Sequence, residues 1–158
     1  GIEEAKILVV ALDNKDSAVQ MVQYARKKRP DLHIIARAYD RVHVYRLYAA
    51  GANDIVREMF DSSLRAGRYA LENLGLTEYE ASVAKDTFFQ LDRHGLRELA
   101  MLWDPDVPIE KNQAYIDRAK ALNAEFETAL VQQFNENKAE GAINQDVISD
   151  MQDPAQKP

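Results

Sequence analysis

Two arginines and an aspartate stand where predicted strands end, and side chains of this kind can bind a small anion. Arg37 and Asp40 lie in the segment Ile34–Asp40, and Arg57 follows a short apolar segment. The C-terminal edge of an open α/β sheet is where small molecules usually bind. A guanidinium holds a carboxylate or a phosphate through two parallel hydrogen bonds. The sequence therefore predicts an anion-binding site at this edge.

A parallel sheet is needed to bring these residues together, and the hydrophobic pattern predicts one. The nearly continuous apolar run 6–12 is typical of a strand buried on both faces, and further strands are predicted at 32–38 and 54–56. Helices are predicted between them, so the order is β-α-β-α-β with right-handed crossovers. A buried first strand needs neighbouring strands outside these three. We therefore expect an α/β fold, the second half of a Rossmann-like sheet, followed by a helical appendage.

Capping and breaking residues place the helices. Asp16 or Ser17 is expected to open the first helix, and the second helix covers Arg41–Ala50 with Gly51 at its end. Beyond the third strand the pattern becomes helical, with a capping box that begins at Thr77 and a possible break at Gly95. The predicted divisions are a Rossmann-like half at 1–57, a helical ligand-sensing and dimerisation region at 58–138 with a long amphipathic helix over 113–134, and a disordered acidic tail at 139–158.

Composition excludes several classes of protein. The net charge of −6 argues against nucleic-acid binding, which needs a basic surface. The absence of cysteine excludes disulfides, thiol catalysis and cysteine-ligated zinc. The three histidines are too scattered for a metal site. The strongest apolar run has about six residues, whereas a membrane-spanning helix needs roughly 20.

A nucleotide is a second candidate ligand. Asp13 and Asn14 follow the first strand and suit either contact with a nucleotide or a plain turn. Arg37 lies in a strand predicted to be buried, so its charge needs a partner, either Asp13 or a phosphate. The sequence has no G-x-G-x-x-G turn and no nucleophile motif, which disfavours an NAD-dependent oxidoreductase and any other enzyme.

Three segments resemble one known family. They are Ile34–Asp40, Gly51–Phe60 and, most specifically, Gly67–Ala81 with the sequence GRYALENLGLTEYEA. Together they look like the cytoplasmic C-terminal regulatory domain (RCK/KTN, TrkA-N type) of Kef-type glutathione-gated potassium efflux systems. The resemblance runs from about residue 6 to about residue 134.

The resemblance implies a glutathione site. It assigns Arg57, which opens the helix after the third strand, and Asp40 to glutathione binding. An asparagine of the family aligns with Asp92, which is a departure, since an ionised aspartate only accepts hydrogen bonds. His43 either faces the same cleft or lies on the surface of its helix. Without the resemblance, Arg57 could pair with Asp54 or Glu58, and Asp40 could simply cap a helix.

The resemblance also implies a mechanism and partners. Glutathione holds such systems closed, and glutathione S-conjugates open them to potassium efflux and proton entry. A structural nucleotide, AMP or NAD(H), occupies the Rossmann cleft. The domain forms a homodimer beneath a membrane antiporter domain of the same polypeptide in the bacterial inner membrane, and many members bind an ancillary flavodoxin-like quinone oxidoreductase. The alternative is a generic nucleotide-binding regulator of potassium transport without glutathione gating.

Overall fold

Alternating strands and helices form the first third of the chain, and helices form the rest. The computed structural model describes the backbone of residues 1–151 and the side chains of residues 1–136. In order, the elements are β1 Ile7–Val10, α1 Lys15–Lys28, β2 His33–Ala38, α2 Arg41–Ala50, β3 Asp54–Arg57, α3 Phe60–Asn73, α4 Glu78–Leu102, a 3-10 turn Ile109–Lys111, and α5 Gln113–Met151.

The three strands are parallel and lie in the order β1-β2-β3, which confirms the predicted β-α-β-α-β topology. Ile34 pairs beside Leu8, and Ala38 pairs beside Arg57. β2 is the central strand, and its alternate residues are fully buried. The expectation that β1 is buried on both faces is wrong for the described structure, because Ile7 and Val9 are 56% and 64% exposed at the sheet edge.

The helix ends follow local capping chemistry. Asn14, rather than Asp16 or Ser17, caps α1, and its side chain accepts a hydrogen bond from the backbone N–H of Ser17. Helix α2 has the predicted bounds and ends at Gly51, whose φ of 104° is a conformation that glycine adopts without strain. The Arg26 guanidinium of α1 donates to the Gly51 carbonyl, at 2.8 Å from Nη2, and so joins the two helices.

Helices α4 and α5 pack against each other and, through the rings of Trp103 and Tyr115, against Tyr45 of α2. The capping box at Thr77 is present, with Glu80 as its partner. The predicted break at Gly95 is wrong, because α4 runs through it without interruption. The missing side chain instead lets Leu122 and Phe126 of α5 approach the α4 backbone closely. Leu122 and Phe126 of the apolar stripe of α5 are thus buried within their own chain, whereas Leu130 and Phe134 are only partly buried.

Helix α5 continues further than the hydrophobic pattern indicated. It runs to Met151. The expected end near Phe134 is therefore wrong, and the disordered tail expected from 139 is wrong for residues 139–151. The sequence beyond 134 contains alanine, glutamate and lysine, which have high helix propensity, and extending an existing helix needs no new nucleation. The remainder of the expected tail, 152–158, lies outside the described residues.

Candidate functional site

The edge of the sheet beyond β1 and β2 carries a charged cluster. Arg37 donates to Asp13 at 2.7 Å, and its Nε lies 3.6 Å from a Glu58 carboxylate oxygen. The guanidinium also lies 5.7 Å from the centre of the Tyr39 ring. The hydrogen bond to Asp13 raises the pKa of Arg37. Of the two predicted partners for Arg37, Asp13 is therefore the one that the structure shows, and Asn14 caps α1 beside it.

Asp40 caps α2 and pairs with the first residue of α1. One carboxylate oxygen accepts from the His43 backbone N–H at 2.8 Å, and the other accepts from the Lys15 ammonium. Partial burial raises the pKa of Asp40, but the hydrogen bonds from Lys15 and His43 outweigh that effect and leave the pKa below its usual value. The carboxylate is about half exposed, so it can still meet a ligand.

His43 is buried, which contradicts the alternative of a surface position on the helix. Only 1% of the residue is exposed. Its Nδ1 accepts from the backbone N–H of Tyr39 at 3.3 Å, and its Nε2 has no hydrogen-bond partner among the described residues. Burial disfavours the charged imidazolium and lowers the pKa of His43, although Asp40 opposes this. The hydrogen bond from Tyr39 to His43 holds the β2–α2 turn in place.

The second charged cluster connects three elements. Asp92 of α4 is 2% exposed, and its two carboxylate oxygens pair separately with Arg57 and Arg41. The Arg41 contact measures 3.0 Å. Arg57 is the last residue of β3 and precedes α3, so the expectation that it opens the helix is wrong by three residues. Its partner is Asp92, and neither Asp54 nor Glu58 is paired with it in the described structure.

Arg57 lies in the wall of a cavity between β3, α2, α3 and α4. The guanidinium carbon stacks 4.0 Å from the centre of the Phe60 ring. The cavity has a volume of about 360 Å³, within the range of small-molecule sites. Its lining is apolar with a few charged groups: Val44, Tyr48, Asp54, Ile55, Val56, Arg57, Phe60, Asp61, Phe89, Arg93 and Leu96. This combination suits a ligand that has an acidic group and an apolar part.

A larger apolar cavity of about 450 Å³ lies on the other side of Phe60, between α3, α4 and α5. Phe60 lines both cavities, and its ring lies 6.5 Å from Phe88 and 6.0 Å from Phe89. Gly67 also faces the space, and a side-chain carbon at that position would meet no atom within 4 Å. The aromatic rings therefore separate the cavity beside Arg57 from a mainly apolar one, whose lining also includes Arg68 and Lys85.

The structure brings some of the predicted site residues together, leaves others apart and adds two residues that were not predicted. Arg57 and Asp92, which are 35 positions apart, are in contact, whereas Asp40 pairs with Lys15 instead. Arg41 and Phe60 were not predicted. One signal for Arg41 was available. A buried aspartate within a helix, such as Asp92, needs cationic partners, and Arg41 directly follows Asp40, which was already assigned to the site. Nothing in the local sequence indicated that Phe60 would stack on Arg57.

The sheet topology and the helices that follow it define the class of this protein as a Rossmann-like domain with a helical extension. A family profile described as "Potassium efflux system KefB C-terminal domain" matches residues 62–147, and a TrkA-N domain profile matches residues 1–58. The first match covers more than half of the chain. The chain therefore belongs to the family of Kef potassium efflux system C-terminal domains.

Known relatives agree with this family. The chain is 38% identical over 102 residues to the "Glutathione-regulated potassium-efflux system protein KefC" of Escherichia coli and to that of Shigella boydii, a match of 65% of this chain and 16% of each relative. A solved structure described as "Shewanella denitrificans Kef CTD in AMP bound form" is 43% identical with a TM-score of 0.62, covering 65% of both chains. Among the described residues, no helix is long and apolar enough to cross a membrane.

Proposed function

We propose that this chain is a ligand-sensing regulatory domain of a potassium efflux system that glutathione closes and glutathione S-conjugates open. The observation that carries the proposal is the position of Arg57, whose guanidinium stacks on Phe60 in the wall of a cavity of about 360 Å³. The family of the chain and the name of its KefC relatives support the choice of glutathione. The proposed role is regulation, not catalysis.

The chemistry of glutathione fits the charged groups of this cavity together with Asp40, which lies outside the cavity wall. Glutathione carries two carboxylates, an ammonium group and two amides. Arg57 would bind one carboxylate through its free guanidinium donors. The half-exposed Asp40 would pair with the ammonium group or accept from an amide. Asp92 would act beside Arg57, and His43, which is buried, would support the turn that carries Asp40.

Gating would come from the substituent on the sulfur of a conjugate. A bulky apolar substituent would press on the aromatic wall of Phe60, Phe88 and Phe89, behind which the larger apolar cavity lies. Displacing that wall would shift α4, which carries Asp92. Glutathione lacks this group, so the two ligands would differ in their affinity for two conformations, as ligand gating requires.

A nucleotide is proposed to bind at the edge of β1 and β2. Asp13, Asn14 and Arg37 are the residues of this chain assigned to it, with AMP or NAD(H) as the ligand. The support is the description of the Shewanella Kef structure as AMP-bound, together with the position of Arg37 at the C-terminal edge of the sheet. A phosphate would compete with Asp13 for the Arg37 guanidinium.

The proposed setting is a cytoplasmic domain that works as a homodimer with a bacterial inner-membrane antiporter domain of the same polypeptide, and with a flavodoxin-like quinone oxidoreductase as a further partner. The length of the KefC relatives supports the membrane part. Exposed apolar side chains at the turn between α3 and α4 support the dimer, since Leu74 and Tyr79 are 79% and 78% exposed. Analytical ultracentrifugation that shows only monomer at micromolar concentration would exclude the dimer for this chain.

A panel of titrations tests the proposed function. Glutathione, a bulky S-conjugate and AMP are titrated separately into the chain by isothermal calorimetry. We expect glutathione and the conjugate to exclude each other while AMP binds independently of both. If AMP gives heat but glutathione and the conjugate do not, the generic nucleotide-binding regulator is the better description. Reduction or oxidation of added NAD(H) with turnover would instead support an oxidoreductase.

A further inference from the structure

The contacts of Asp92 join three elements of the fold through one carboxylate. Asp92 lies on α4, Arg41 lies in the first turn of α2, and Arg57 ends β3. The Asp92 side chain is 3% exposed, while those of Arg41 and Arg57 are 36% and 20% exposed. The aspartate is thus hidden from water, and the outer sides of both guanidinium groups remain accessible. The cluster holds two positive charges and one negative charge.

Any anion that enters the Arg57 cavity meets a guanidinium that already has a carboxylate partner. Arg57 is fixed from one side by the Phe60 ring and from another by Asp92. A second carboxylate near Asp92 is repelled by it, because both are acceptors only. The other charged residues around the cavity are Asp54, Asp61 and Arg93, and none of them pairs with Arg57 in the described part of the chain.

We propose that Asp92 is an internal counter-ion that competes with the ligand's anionic group for Arg57 and thereby couples anion binding to the position of helix α4. The identity of the anion as a glutathione carboxylate rests on the proposed function, whereas the competition itself applies to any anion. When an anion takes over Arg57, Asp92 keeps only Arg41. Helix α4 is then held to α2 but no longer to the end of β3.

The substitution Asp92→Asn tests the competition. Asparagine has nearly the same shape and keeps one oxygen that can accept from Arg41, but it carries no charge. The charged hydrogen bond between Arg57 and Asp92 opposes anion binding, so its loss is expected to tighten anion binding about tenfold. The matched control is Asp61→Asn, which removes a negative charge from the wall of the same cavity without touching the cluster. Its affinity is expected to change less than about threefold, because exposed charges are screened.

Two probes are titrated into each variant at constant ionic strength, with chloride as the compensating anion. One probe is sulfate, which reports the competition for Arg57 with any anion, and the other is glutathione. Tighter binding of sulfate to Asp92→Asn than to Asp61→Asn supports the proposal. Equal or weaker binding of sulfate to Asp92→Asn overturns it. If sulfate binds more tightly but glutathione binds neither protein, the competition stands and the glutathione function falls.

The coupling to α4 has its own readout. Trp103 is the single tryptophan, it caps the C-terminus of α4, and its ring lies 5.7 Å from that of Tyr45 in α2. Sulfate is expected to change the Trp103 emission of the wild-type chain and to leave that of Asp92→Asn unchanged. An equal change in both proteins overturns the coupling. Should Asp92→Asn not fold, hydrogen exchange of α4 in the wild-type chain decides: faster exchange with sulfate supports the proposal, and unchanged exchange overturns it.

Discussion

Replacing Arg57 by methionine tests how strongly the buried cluster holds the fold together. Methionine keeps much of the packing on Phe60 but leaves Asp92, whose side chain is 3% exposed, with Arg41 alone. Breaking a fully buried ion pair costs about 3–5 kcal/mol. The remaining Arg41 contact and the 20% exposure of Arg57 reduce this to about 2 kcal/mol. For a chain of this length, that corresponds to a fall of about 4–8 °C in the melting temperature.

The assay is thermal and urea unfolding of Arg57→Met beside Arg93→Met. Arg93 lines the same cavity from α4 and is exposed, and it has no ion pair among the described residues. The control should therefore change the free energy of unfolding by less than about 0.5 kcal/mol. If Arg57→Met costs no more than Arg93→Met, Asp92 does not depend on Arg57 and the described cluster is wrong.

Further predictions concern a glycine pair, a histidine and a helix cap. Gly67→Ala should raise the free energy of unfolding by about 1 kcal/mol, because no atom lies within 4 Å of the added carbon. Gly51→Ala should lower it by more than about 1 kcal/mol, because its φ is 104° and the new carbon would lie 2.9 Å from an Arg26 carbon. His43→Gln should flatten the loss of stability as the pH falls below about 6.5, because the pKa of His43 is lowered in the folded chain and the unfolded chain therefore takes up a proton first. Thr77→Ala should cost about 1 kcal/mol by removing the capping box.

Urea unfolding measures all four changes. If Gly67→Ala and Gly51→Ala changed the free energy of unfolding in the same direction, the assigned backbone conformations would be contradicted. For His43, the measurement to compare is the slope of the free energy of unfolding against pH. The free energy at a single pH is not informative, since any substitution of a buried residue lowers stability. An unchanged slope would show that His43 titrates normally in the folded chain. For Thr77, Ser62→Ala is the control, because the Ser62 hydroxyl donates to the Met59 carbonyl at 3.1 Å and has no other hydrogen bond in the described part of the chain.

The sheet and its edge could be predicted because local chemistry determines them. A run of β-branched residues predicts a parallel strand, and Gly51 marks the end of α2 whatever lies around it. The third strand and the capping box at Thr77 follow from equally local signals. The break expected at Gly95 was wrong because helix propensity is a weak effect, which close packing of Leu122 and Phe126 overrides.

The site was predicted less completely because its contacts are distant in sequence. Arg57 has charged neighbours at 54 and 58, but the fold pairs it with Asp92, 35 positions away. The stack on Phe60 depends on how α3 leaves β3, which no periodicity encodes. His43 was expected either in the cleft or on the surface of its helix, and it is buried because α2 packs against both α1 and the sheet.

The most direct test of the proposed function is calorimetric titration of glutathione into the wild-type chain and into Arg57→Ala, with saturating AMP present in both. If Arg57 holds a glutathione carboxylate, the variant should bind glutathione at least about tenfold more weakly, since a charged hydrogen bond is lost. Its affinity for AMP, measured separately, should stay the same, because the assigned nucleotide residues lie at the edge of β1 and β2. Equal glutathione affinity in the two proteins would contradict the account.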